Sequence, residues 1–145
     1  MRNCRFAYLL LIALMFPVLS AHADDVTCNG RIGARSIDGN VIVKKGGTCN
    51  LERTRIDGNI KVERGARLTA RDIRVGGNIQ AENAASVQVR GSTIDGDLQL
   101  FSNSGSLQVS NNKIGGNLQC KQNKSAPSGG GNKVDDNKED QCARL

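Results

Sequence analysis

Tryptophan is absent from the 145-residue chain, and its one histidine, its one tyrosine and two of its three phenylalanines all fall within the first 22 residues. That stretch has the three-part layout of a secretory leader: Arg2 and Arg5, an apolar run from Phe6 to Leu19, then Ala21-His22-Ala23. The run is too short for the roughly 20 residues that a bilayer-crossing helix needs. Residues 1–23 are therefore expected to be a signal peptide cleaved after Ala23, with no membrane anchor. Without the leader no imidazole remains, which excludes His-based acid–base catalysis and removes the commonest metal ligand at neutral pH. Phe101 is then the only ring, too little for a platform that stacks nucleic-acid bases or for an aromatic sugar cleft. Of the five cysteines, Cys4 precedes the apolar run rather than following it, so the leader does not read as that of a lipoprotein. Four cysteines remain, and an exported chain meets an oxidising periplasm or exterior, so two disulfides are expected.

What the chain does contain is a repeat. Ile37-Asp38-Gly39-Asn40 returns as Ile56-Asp57-Gly58-Asn59, Val75-Gly76-Gly77-Asn78, Ile94-Asp95-Gly96-Asp97 and Ile114-Gly115-Gly116-Asn117, at spacings of 19, 19, 19 and 20. Each copy continues as aliphatic, polar, aliphatic: Val41 and Val43, Ile60 and Val62, Ile79 and Ala81, Leu98 and Leu100, Leu118 and Cys120. This is strand alternation. A second alternating pair follows in each unit: Cys49 and Leu51, Leu68 and Ala70, Val87 and Val89, Leu107 and Val109. A unit of two short strands and two turns cannot bury its own apolar face, so neighbouring units must stack with like positions in columns. The expected fold is all-β, a short single-stranded parallel β-helix of about five rungs over residues 37–120, with an N-terminal cap at 24–36 and a C-terminal capping tail at 121–145. The repeated glycine of each rung marks a corner, through positive φ or close backbone approach.

The rung resembles those of right-handed bacterial β-helix proteins, and its Ile-x-Gly-Asn/Asp-Ile/Leu pattern is most similar to the bactofilins, a family of polymer-forming proteins. That resemblance spans residues 37–120 and implies end-to-end self-association. Bactofilins act inside the cell, whereas this chain carries a leader and cysteines. The stretch from Gly115-Gly116-Asn117-Leu118-Gln119-Cys120 to Lys138-Glu139-Asp140-Gln141-Cys142 resembles the terminus of exported bacterial proteins of unassigned function, which implies no activity.

Cys28 and Cys49 occupy matching places in adjacent rungs, and Cys120 sits in an inward column that the tail can reach with Cys142. The expected bonds are 28–49 and 120–142, one of three connectivities. A zinc site would need closely spaced Cys pairs, which are lacking. Asn40, Asn59, Asn78, Asp97 and Asn117 form an outward column suited to a hydrogen-bonded ladder. Asp95 and Asp97 can be weighed as a calcium site with neighbouring amides or as a carboxylate pair for catalysis, but like charges that alternate with Asn and Gly do not cluster for an ion, and alternate residues on one strand with no facing partner suit acid–base work poorly. No metal and no cofactor is expected.

Residues 31–90 hold twelve Lys or Arg against six Asp or Glu, while 91–120 hold one against two. Arg55 and Arg74 share a column, and Arg53, Arg71 and Arg90 lie in nearby turns with Arg64 and Arg67. This surface suits anionic polysaccharide or lipopolysaccharide, through bidentate guanidinium contacts. The expected protein is an exported, periplasmic or secreted structural or binding protein, not an enzyme and not a nucleic-acid binder. A polysaccharide-acting enzyme is the weakest alternative.

Overall fold

The computed structural model describes residues 23–145, so Cys4 and all but the last residue of the expected leader lie outside the described residues. From Val26 onward the chain winds as a parallel β-solenoid without an α-helix. The first turn carries β1 (Val26–Thr27), β2 (Gly30–Ile32) and β3 (Ser36–Ile37), and the second β4 (Val41–Val43), β5 (Thr48–Glu52) and β6 (Arg55–Ile56). The third has β7 (Ile60–Val62), β8 (Arg67–Arg71) and β9 (Arg74–Val75), and the fourth β10 (Ile79–Glu82), β11 (Ser86–Arg90) and β12 (Thr93–Ile94). The fifth has β13 (Leu98–Phe101), β14 (Leu107–Ser110) and β15 (Lys113–Ile114), and the sixth β16 (Leu118–Lys121), β17 (Ser128–Gly130) and β18 (Lys133–Val134). A last strand, β19 (Lys138–Asp140), begins a seventh turn.

Like strands stack into three parallel sheets: seven-stranded sheet A (β1, β4, β7, β10, β13, β16, β19), six-stranded sheet B (β2 to β17) and six-stranded sheet C (β3 to β18). At about 4.8 Å per strand, the seven strands of sheet A span roughly 29 Å. Two expectations change. Each turn holds three strands rather than two, because the Ile37 column belongs to a sheet of its own built from two-residue strands. The solenoid has six turns rather than five, because residues 24–36 and 121–140 continue the ladder at its two ends.

The register follows the repeat. Ile79 pairs with Ile60 and Leu98, and Val87 with Leu68 and Leu107. The extra residue of the fifth turn bulges near Gly105, and β14 returns to register at Leu107. The inward columns fill a narrow aliphatic core, with Val41, Ile56, Ile60, Leu68, Val87, Ile94, Leu98 and Leu118 all essentially inaccessible. A bore of this width takes one aliphatic side chain per position, which accounts for the missing rings.

Each of the three corners is closed by polar side chains that bond along the axis. At the C-to-A corner, Asp25, Asn40, Asn59, Asn78, Asp97, Asn117 and Asn137 form one run in which each side-chain oxygen before Asn137 accepts the backbone N–H of the next member, at 2.7–3.2 Å. At the A-to-B corner, Asn103 and Asn123 are buried and bond to each other and to the carbonyls of Ala81 and Leu100. At the B-to-C corner, Ser92, Asn112 and Asn132 do the same beneath Val89 and Val109. Among the described residues no buried side-chain nitrogen or oxygen lacks a partner.

The repeated glycine works by close approach, not by positive φ: a Cβ on Gly58 would stand 2.6 Å from the carbonyl oxygen of Gly39. The left-handed positions lie elsewhere, among them Gly46, Gly65, Gly91 and Gly131 with φ of 63–70° and Arg53, Asp72, Asn83, Ser102, Asn111 and Gln122 with φ of 53–56°. Both expected disulfides are present, Cys28–Cys49 and Cys120–Cys142, with Cα–Cα distances of 5.5 and 5.3 Å. They fit an oxidising environment, extracellular or periplasmic.

Candidate functional site

The three sheets present different outer faces because alternate strand residues point outward. Sheet A carries an amide ladder in which Gln80, Gln99 and Gln119 donate in sequence to the next turn at 2.8–3.0 Å, ending on the carboxylate of Glu139. The corner run of Asn40 donates in the opposite direction and ends on the carboxylate of Asp25. Each ladder thus finishes on a residue that only accepts. These columns have a structural use within the fold.

Sheet C is charged but balanced. Its outward column contains Arg55, Arg74, Lys113 and Lys133, and the column two residues on contains Asp38, Asp57, Asp95 and Asp135. The Nε of Arg55 donates to Asp57 Oδ1 at 2.9 Å, and an Arg74 guanidinium nitrogen donates to Asp95 Oδ2 at 3.3 Å. Asp95 is therefore engaged with Arg74, while Asp97 accepts the N–H of Asn117 at 2.7 Å within the corner ladder. The pair weighed for calcium or catalysis is already occupied by protein donors.

Sheet B is not balanced. Its strands hold Arg31, Arg67, Arg71 and Arg90 against one carboxylate, Glu52. Glu52 bonds the guanidinium of Arg31 and lies 4.0 Å from that of Arg53, which stands at the left-handed corner. Arg71 lies in register between Glu52 and Arg90. Among the described residues neither Arg71 nor Arg90 has a carboxylate oxygen within 4.0 Å. A shallow concavity of about 410 Å³, lined by Arg31, Asn50, Leu51, Glu52, Thr69 and Arg71, lies on this face.

The structure therefore divides the five arginines singled out by charge. Arg71 and Arg90 stack on sheet B, Arg53 borders them at the corner, and Arg55 and Arg74 lie around that corner on sheet C, each beside an aspartate. Arg31 and Arg67 complete the sheet B face; Arg67 is among the basic turn residues already noted, whereas Arg31 has no arginine one period away and is placed there by its register with Asn50.

The fold and this face define a short, disulfide-stapled parallel β-solenoid. Comparisons of the chain with protein-family models, with curated proteins and with solved structures find no match.

Proposed function

We propose that the chain is an exported, non-enzymatic binding protein of the bacterial envelope or extracellular space, which takes anionic polysaccharide or lipopolysaccharide on the outer face of sheet B. One observation supports this most: Arg71 is stacked in register on Arg90, and among the described residues neither has a carboxylate oxygen within 4.0 Å, since Glu52, opposite Arg71 on its other side, is turned to Arg31 and Arg53. Like charges directly opposite on adjacent strands cost stability. Arg55 and Arg74 on sheet C are also stacked in register, but each bonds an aspartate, and a face that served solubility alone would be served better by that pairing. Guanidinium groups one strand spacing apart, about 4.8 Å, instead suit a polymer that repeats its carboxylates or phosphates along the solenoid axis. Arg binds both groups bidentately.

The rung's similarity to bactofilins favours a second reading, a structural protein that assembles through its ends. Lys138 and Asp140 weigh against head-to-tail growth, because they stand in the core columns at the C-terminal end.

The test is retention on an immobilised polyuronate, on lipopolysaccharide and on neutral dextran at low salt. The proposal expects binding to an anionic matrix, none to dextran, loss on raising the salt as screening sets in, and at least about a tenfold weakening in Arg71→Ala/Arg90→Ala. Equal retention of parent and double variant, or no binding to either anionic matrix, overturns it.

A further inference from the structure

The two ends of the solenoid are built differently. At the C-terminal end, the inward position after Leu118 is Lys138 and the one after Cys120 is Asp140, both exposed, and the position after Val109 is Gly129. The turn that follows closes on itself through N–H bonds from Cys142 to Glu139 and from Leu145 to Cys142. It buries Cys142 and Leu145 against the core and is tied down by the bond to Cys120. Charge in a core column and a turn laid across the bore stop further strands from adding.

Among the described residues the N-terminal end has no such stop. The inward residues of its first turn are Val26, Cys28, Ile32 and Ile37, of which Val26 and Ile32 are only partly buried. No described strand pairs with the outer edge of β1, β2 or β3. Unpaired edges over an apolar column are a template for another chain. Charge on this rim is segregated: Asp24, Asp25 and Asp38 surround the C-to-A corner and Arg35 stands at the B-to-C corner, all exposed. No ion pair within the chain engages Arg35 or Asp24 among the described residues.

We propose that this N-terminal end is a self-complementary interface at which a second copy of the chain docks head to head. A two-fold axis in the end plane, through the middle of β3 and the opposite A-to-B corner, maps sheet C onto itself and exchanges sheets A and B. Each β3 then runs antiparallel to its copy, and each β1 runs antiparallel to the other copy's β2. The same axis exchanges the C-to-A and B-to-C corners, so the aspartates of one copy meet Arg35 of the other. Such an isologous contact closes at two copies. The plugged C-terminal ends then point outward and prevent a filament. This inference does not depend on polyanion binding, since sheet B lies on the flank of the rod.

The experiment is the molar mass of the full chain, expressed with its own leader and purified oxidised, measured by light scattering with refractive-index detection across micromolar concentrations. Twice the chain mass is expected, falling toward the monomer by at least about tenfold in association constant for Asp24→Arg or Arg35→Asp alone. Carrying both substitutions in one chain restores the opposite charges across the axis and recovers the dimer. A monomer at every concentration, assemblies beyond two copies, or single substitutions without effect would each overturn the interface.

Discussion

Asn103 and Asn59 make the same kind of ladder contact in different surroundings, so truncating each to alanine tests whether burial sets the worth of the ladders. Asn103 is fully buried. Its Oδ1 accepts the N–H of Ala84 at 2.8 Å, and its Nδ2 donates to the carbonyl of Ala81 at 3.2 Å and to Asn123 Oδ1 at 2.9 Å. Asn103→Ala leaves the Ala84 N–H and the Ala81 carbonyl without that partner in a dry corner. Asn123 Oδ1 keeps the backbone N–H of residue 103. The Ala81 carbonyl remains in the β10–β13 ladder, so with about 1–3 kcal/mol for the orphaned Ala84 N–H and about 1 kcal/mol for each of the two bonds made by Nδ2, the loss is about 4 kcal/mol. Asn59 is exposed, accepts the N–H of Asn78 at 2.8 Å and donates to Asn40 at 3.1 Å. Water replaces both contacts there, so Asn59→Ala loses about 1 kcal/mol. Residues 24–145 contain neither tryptophan nor tyrosine, so unfolding in urea is followed by far-ultraviolet circular dichroism at one fixed protein concentration with the disulfides intact. The expected gap of about 3 kcal/mol is more than a hundredfold in the unfolding constant. Equal losses at the two sites, or a loss below about 1 kcal/mol for Asn103→Ala, would refute the reasoning.

Two further outcomes follow from the same geometry. Gly58→Ala drives a methyl group against the Gly39 carbonyl and Asn40 Oδ1 and is expected to lose about 2–3 kcal/mol by the same urea titration. A loss under about 0.5 kcal/mol would contradict the close-approach account of that glycine. The disulfides close segments with sequence separations of 21 and 22 residues. Cys120→Ser/Cys142→Ser is therefore expected to lower stability by about 3 kcal/mol, read as a lower urea midpoint than that of the oxidised parent.

Much of this fold is legible in the residues because inward positions repeat without fail. The aliphatic columns through Val41, Val43, Leu68 and Leu51 all reach the core, and the alternation that reveals them is itself the reason they bury. Sheet C is harder to see: its strands are two residues long, with one inward side chain each, and a single residue per turn has no alternation. The sixth turn is hidden for another reason. After Leu118 and Cys120 its core positions are Gly129 and a half-buried Val134 rather than isoleucine or leucine, so the hydrophobic signal fades where the backbone ladder continues. The buried asparagine ladders do leave a trace, since Asn103 and Asn123, and Asn112 and Asn132, stand 20 residues apart. Asparagine in a turn reads first as exposed loop chemistry. Of the basic face, sequence reveals the excess charge but not its pairing. That Arg74 reaches Asp95 in the next turn, while Arg71 and Arg90 meet no carboxylate, depends on which side of a corner each residue falls.

Two charge-matched double variants test that distinction most directly. Arg71→Ala/Arg90→Ala and Arg55→Ala/Arg74→Ala remove the same two positive charges, the first from the unpaired column of sheet B and the second from the aspartate-paired column of sheet C. Binding of each to a soluble polyuronate or to lipopolysaccharide, measured by calorimetry at low and at physiological salt, should weaken at least about tenfold for the sheet B pair and change little for the sheet C pair. Equal weakening by the two pairs would mean that net charge alone draws the polymer, and would contradict the account of sheet B as the binding face.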